Sequence, residues 1–200
     1  MKILAFTDTH GSMKAMKEIA EKAVKEKVDL LVCAGDVSIF EQGLEYLLQR
    51  FDKIGIPMLI IPGNHETEEE LEKVSSKFEN INHIQGKHYE RDDVLFFGYG
   101  GGGFSIVDPD FVKKGKEFEE KIKKSGVKKV VLVTHAPPHN TKIDRLSKES
   151  VGNKSIRQFI DKVKPVLVIS GHLHENAGKE DKVGKTKVIN PGPFGKVLNI

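Results

Sequence analysis

Aspartate, histidine and asparagine recur in this chain at one kind of place, the end of an apolar run. Asp8-Thr9-His10 follows KILAFT, Gly35-Asp36 ends LLVCAG, and Gly63-Asn64-His65-Glu66 ends MLIIPG. Thr134-His135 ends KVVLVT, and Gly171-His172-Leu173-His174 ends VLVISG. Imidazole and carboxylate oxygen are the usual protein ligands of borderline and hard divalent metals. One zinc ion needs only three or four ligands, and these tips supply more than that. The surplus fits two metals sharing a carboxylate, a pair that sits roughly 3.5–4 Å apart and clamps the oxygens of an in-line displacement. A phosphate ester is the natural substrate, because its transition state spreads negative charge over oxygens that metals neutralise.

Elements with a common edge must hold these residues. The apolar runs read as buried strands over 2–7, 29–34, 57–62, 128–134 and 166–170. In an open α/β sheet, ligands bind at the carboxyl ends of such strands. Helical spacing appears over 12–26, 40–53, 109–124 and 151–163, with Ser12 and Thr67 as caps and Pro109 as a starter. Residues 80–100 look like short strands, with turns at Gln85-Gly86 and Asp92-Asp93, and 136–150 like a long polar loop. Short strands are expected again around 184–189 and 196–199. The pattern predicts one domain over residues 1–200 and does not give the strand order. The glycine run at 98–103 opens no helix within a βαβ unit, so it fails as a dinucleotide loop. Its glycines suit a loop that approaches the metal edge closely.

Composition narrows the partners. The chain has 32 basic and 29 acidic residues, a net charge of +3. That balance does not favour nucleic acid or a membrane surface as the target. No apolar run nears the ~20 residues of a membrane span, and MKILAF is too short for a signal peptide, so a cytoplasmic protein is expected. The one cysteine, Cys33, lies inside a strand run and reads as a small buried hydrophobe.

The ordered set D-x-H, G-D, G-N-H-E, H and G-H-x-H, spread over residues 8 to 174, resembles the calcineurin-like metallophosphoesterase family. The resemblance implies a four-layer α/β/β/α sandwich. It implies one metal on Asp8, His10, Asp36 and His174, and another on Asp36, Asn64, His135 and His172, with Asp36 bridging. His65 resembles the family's non-ligand histidine, the catalytic group that assists the leaving oxygen. The implied reaction is attack on phosphorus by a metal-bridging hydroxide, with no covalent intermediate. Mixed His/Asp/Asn ligands accept Mn, Fe, Ni, Co or Zn.

Many family members read G-D-x-x-D, whose last Asp orients the catalytic histidine; here that position is Ile39. Glu66 and Asp8 are then the nearest candidates for that task. Fragments around 134–139 and 152–157, with GHLHE and Asn190-Pro191-Gly192, resemble a small archaeal and bacterial branch. That branch is similar to animal metallophosphoesterase-domain phosphodiesterases. It tilts the expected substrate toward a phosphodiester or small nucleotide, over a phosphomonoester, a phosphoprotein or a nuclease target. A non-catalytic scaffold of the same fold would show eroded ligands, and none is eroded here. His139 and Arg157 are the candidates for touching substrate phosphate. Oligomeric state is left open.

Overall fold

Alternation along the strands divides the apolar core into three layers. In the computed structural model, which describes residues 1–200, β1 (Lys2–Phe6) sends Leu4 and Phe6 to one face and Ile3 and Ala5 to the other. β2 (Leu30–Cys33) and β3 (Met58–Ile60) divide in the same way. Side chains alternate with period two along a strand, so a continuous apolar run is the signature of a sheet covered on both faces.

One face of this sheet meets α1 (Met13–Glu26), α2 (Leu44–Asp52) and α3 (Glu68–Ser75) through Ile19, Leu48, Phe51 and Leu71. The other meets a second sheet through Val32, Leu59, Phe96, Val131 and Ile169. That second sheet buries its far face, with Leu95, Phe97, Leu132 and Val168, against α4 (Pro109–Ser125) and α5 (Lys154–Val163) through Phe111, Phe118 and Phe159. The result is the four-layer α/β/β/α sandwich that the resemblance implied.

The first sheet also contains β4 (Ile81–His83) and β13 (Lys196–Asn199), in the order β13-β1-β2-β3-β4. The second consists of β5 (His88–Arg91), β6 (Val94–Tyr99), β7 (Lys129–Thr134), β10 (Leu167–Ile169), β11 (Glu180–Val183) and β12 (Thr186–Ile189). Its order is β11-β12-β10-β7-β6-β5. β1, β2 and β3 run parallel in register, as do β6, β7 and β10, so their carboxyl ends line up.

The caps are those the sequence predicts: Ser12 accepts from Ala15 N at 3.2 Å and Thr67 from Glu70 N at 3.3 Å. Two helix starts and one loop differ from the expectation. The helix expected from residue 40 begins at Leu44, because Phe40, Glu41 and Gly43 all have positive φ, which the right-handed helix forbids. The helix expected from 151 begins at Lys154, capped by Asn153, which accepts from Ile156 N at 3.0 Å. The loop expected over 136–150 contains a small hairpin, β8 (Arg145–Leu146) with β9 (Glu149–Ser150). A strand was also missed at β11, which forms a hairpin with β12 through Gly184.

Candidate metal centre

The tips of β1, β2, β3, β7 and β10 converge where the two sheets meet. Asp36 lies at the centre. Its Oδ2 is 3.8 Å from His10 Nε2 and 3.4 Å from His135 Nε2, and its Oδ1 accepts from the His65 backbone N at 2.9 Å. On one side, His10 Nε2 and His174 Nε2 face each other at 2.9 Å, with Asp8 Oδ1 3.7 Å from His174 Nε2. On the other, the Asn64 amide oxygen meets His135 Nε2 at 3.0 Å and His172 Nδ1 at 2.9 Å. The sequence-predicted ligands therefore gather into two groups with Asp36 between them.

The backbone is bent to achieve this. Asp8, His10, Asp36 and His172 have φ of 54, 45, 54 and 71°. Non-glycine residues in this left-handed region cost energy and persist where the surroundings over-determine them. Two glycines allow the close packing. A side chain at Gly63 would overlap Asp36 Oδ1, and one at Gly171 would overlap Thr7 Oγ1 and come within 2.7 Å of Asp8 Oδ2. Gly103, in the glycine run, also skirts the centre: a first side-chain carbon there would lie 3.9 Å from His172 Cε1.

Burial and charge contend at this edge. Burial pushes the Asp8 carboxyl above the ordinary range, against the opposing pull of His135. Burial acts the same way on Asp36, but its hydrogen bond to His135, the His135 charge and the His65 backbone N–H outweigh it, and Asp36 is lowered. His135 is the converse: burial disfavours its cation, yet the Asp36 contact raises it. His172 is pushed down to about 4, first by burial and then by the neighbouring His135. Its Nε2 is buried with no hydrogen-bond partner. Imidazole nitrogen, carboxylate oxygen and an amide oxygen gathered at one buried edge are the donors that borderline and hard divalent cations take. Three overlapping sets, Asp8/His10/His174, His10/Asp36/His65 and Asp8/Asp36/His135, each bring their ligand atoms within 4.8 Å of one another. The donor set thus fits divalent metal.

Residues 1–176 match the sequence profile of the calcineurin-like phosphoesterases. The chain belongs to that family. It is 31% identical over 202 residues to an uncharacterized protein of Methanocaldococcus jannaschii, covering 96% of this chain and 88% of that one. It is 25% identical over 167 residues to a protein named probable glycerophosphodiester phosphodiesterase from Arcobacter nitrofigilis, covering 76% of this chain and 58% of the longer relative. The fold is shared with a dimetal phosphatase from Danio rerio, at TM-score 0.71 and 10% identity over 94% of this chain and 86% of that one. The family acts on phosphoric esters with divalent metals, so the match supports a hydrolase.

Against the family pattern, the surroundings of His65 are unusual. Its Nδ1 is buried and unpartnered. Neither residue suggested as its orienting partner takes that role. Asp8 accepts from His172 N at 3.1 Å. Glu66, buried, accepts from Asp36 N at 3.0 Å, Ser38 N at 2.8 Å, Ser38 Oγ at 2.7 Å and Gly63 N at 3.0 Å. Glu66 thereby ties the β2 tip to the β3 tip. The His65 ring instead packs between His10, at 4.9 Å between centroids, and Phe40, at 4.4 Å.

The two residues suggested for substrate phosphate are occupied differently. Arg157 Nε binds the Asp161 carboxylate at 3.1 Å, and its NH1 donates to the carbonyls of His139 and Asn140, both at 3.1 Å. It braces the loop after β7. His139 is half-buried, 3.7 Å from the Asp144 carboxylate. Sequence reasoning missed Asp144, fully buried, which accepts from Asn140 N, Thr141 N and Gly152 N. It also missed buried Asn176, whose amide donates to the carbonyls of Ile143 and Arg145. Asn176 so ties this loop to the segment bearing His172 and His174. An Asp three to four residues beyond a turn was the available signal for Asp144.

Proposed function

We propose that this protein hydrolyses phosphate esters, with a phosphodiester or small nucleotide as the preferred substrate. The observation that carries this reading is Asp36, buried between His10 and His135 at 3.8 and 3.4 Å, with one donor group on each side. Asp8, His10, Asp36 and His174 would hold one divalent ion, and Asp36, Asn64, His135 and His172 the other. Two such ions neutralise phosphate charge and lower the pKa of a water.

The chain's own residues do the rest. Asp36 is held by the His65 N–H and, through Glu66, by the ties between the β2 and β3 tips. Fixed in this way, the site needs no reorganisation as charge develops. Hydrolysis joins a water oxygen to phosphorus and breaks the bond to the leaving oxygen. That oxygen takes a proton from His65 in its imidazolium form, and the proton shed by the water returns the ring to that form, so that ester and water give phosphate and alcohol with no net change on the protein. No helix is long and apolar enough to cross a membrane, and a cytoplasmic location with a small soluble ester as partner completes the reading. Manganese is a reasonable first ion to load, since the donors mix nitrogen and oxygen.

The test is turnover of matched chromogenic mono- and diesters by apo protein reloaded with manganese. Wild type should turn over, favouring the diester; Asp36→Ala should lose both activity and bound metal; His65→Ala should keep metal and lose about 10²–10⁴-fold in rate. Folded, manganese-loaded protein that hydrolyses no ester would refute the reading.

A further inference from the structure

Of the eleven phenylalanines, only Phe40, Phe104 and Phe194 are exposed. Phe194 has a neighbour that accounts for it, the Lys14 ammonium 5.6 Å from its ring centroid. The other two lie against site histidines. Phe40 is 4.4 Å from His65, which is 4.9 Å from His10, which is 4.8 Å from His174. Phe104 is 4.6 Å from His172, which is 5.3 Å from His135. Two files of rings therefore run outward from the centre, and each ends in an exposed phenyl group.

Both phenyl groups are held in place. Phe40 has φ 47° and Glu41 φ 63°, consecutive left-handed residues that a bulky side chain does not favour. The Glu41 carboxylate fixes this turn by accepting from Thr67 N at 2.8 Å and Thr67 Oγ1 at 2.6 Å. The segment carrying Phe104 is fastened by Asn153 Nδ2 to Ser105 O at 2.8 Å and by Lys154 N to Ile106 O at 2.7 Å. A turn that uses strain to hold a phenyl ring in water, beside the group assigned to the leaving oxygen, gives that ring a ligand to meet.

We propose that Phe40 and Phe104 are specificity residues that receive the two organic arms of a phosphodiester, Phe40 the leaving arm and Phe104 the retained one, each arm carrying a planar aromatic group. The assignment rests on the phosphoesterase reading, because His65 fixes which side the leaving arm takes. A monoester has one organic arm and would leave one ring bare. A flat ring, whether a simple aryl group or a nucleobase, packs on phenyl in offset or edge geometry.

The experiment is calorimetric titration of manganese-loaded protein with dimethylphosphinate, methyl(phenyl)phosphinate and diphenylphosphinate, which are non-hydrolysable monoanions with two arms. Each phenyl should tighten the Kd about tenfold in the wild type. Phe40→Ala and Phe104→Ala should each erase one step, and the double variant both; melting curves confirm folding, as both side chains are exposed. Thymidine 5′-methylphosphonate in place of methyl(phenyl)phosphinate separates the sources. A gain from either supports the proposal and says whether the arm is a nucleoside or a simple aryl group. Equal affinity for all three phosphinates, with no gain from the thymidine ester either, would overturn the arm assignment while leaving the phosphoesterase reading intact. Failure of every phosphinate to bind protein that holds manganese would overturn both. Light scattering that shows a wild-type dimer, converted to monomer by either substitution, would also overturn the proposal, since the rings would then serve a second copy of the chain.

Discussion

Replacing Glu66 by glutamine exchanges one oxygen for an NH2 group and should cost the protein much of its margin of stability. The carboxylate takes four donors: one oxygen accepts from Ser38 N and Ser38 Oγ, the other from Asp36 N and Gly63 N. A glutamine can present its oxygen to only one of these pairs. Its NH2 then faces the other, and turning that oxygen to the serine pair leaves two buried backbone N–H groups opposed by donors. An unsatisfied buried donor costs about 1–3 kcal/mol, and the surviving bonds lose the strength that the charge gave them. Some relaxation around Ser38 is expected, so about 3 kcal/mol is a reasonable total. For a chain of this size each kcal/mol moves Tm by about 2–4 °C, which gives a fall of roughly 6–12 °C. Circular dichroism melts of metal-free wild type and Glu66→Gln measure it directly. The variant should also bind manganese more weakly, because Asp36 and Gly63 lose their tie. A variant that melts within about 2 °C of wild type would show that these four bonds do not organise the tips.

Other expectations use different parts of the molecule. Gly171→Ala places a carbon against Thr7 Oγ1 and Asp8 Oδ2, so stability should drop by about 1–3 kcal/mol and manganese affinity with it; unchanged values in both titrations would contradict the packing described. Arg157→Ala should leave Tm within about 2 °C of wild type, as expected of a partly exposed ion pair, yet speed proteolysis within residues 139–150; equal cleavage rates would remove its bracing role. His83 is held down to about 4, first by burial and then by the Lys87 charge, with Glu72 opposing. Its unfolded value lies near 6.5, so between these limits the unfolded chain takes up a proton that the folded one refuses. Stability should therefore be free of this cost above pH ~6.5 and lose ground as pH falls toward 4. His83→Gln should flatten the Tm slope across that window, and parallel wild-type and variant slopes would assign the pH dependence to other groups.

The strand tips were legible because a strand buried on both faces must be a continuous apolar run, and Gly, Asp and His interrupt such runs abruptly. Partner choice was not legible. β4 joins the first sheet and β5 the second, although only residues 84–87 separate them; period-two alternation does not say which sheet a strand joins. The start of α2 was misplaced because apolar spacing carries no information on φ, and the left-handed turn at Phe40 and Glu41 is imposed through Thr67. The same blindness hid the strained backbone of Asp8, Asp36 and His172. Glu66 and Arg157 show a further limit: sequence gave their proximity to chemistry, but which atoms they hold depends on tips brought together from distant parts of the chain.

β13 pairs antiparallel with β1, Lys2 opposite Asn199 and Ala5 opposite Lys196, after the intervening chain has built the whole second sheet. The strand that leads into Asp8 and His10 therefore keeps an open edge until residues 196–199 have left the ribosome. Residues 3–6, fully buried in the finished protein, are the ones most exposed to mispairing during that interval. Long-range closure of this kind slows folding. Final seating of the β1 edge should thus be a late event relative to the pairing of β1 with β2, and a chain stalled before β13 emerges would present this apolar strand to chaperones or to a neighbouring copy.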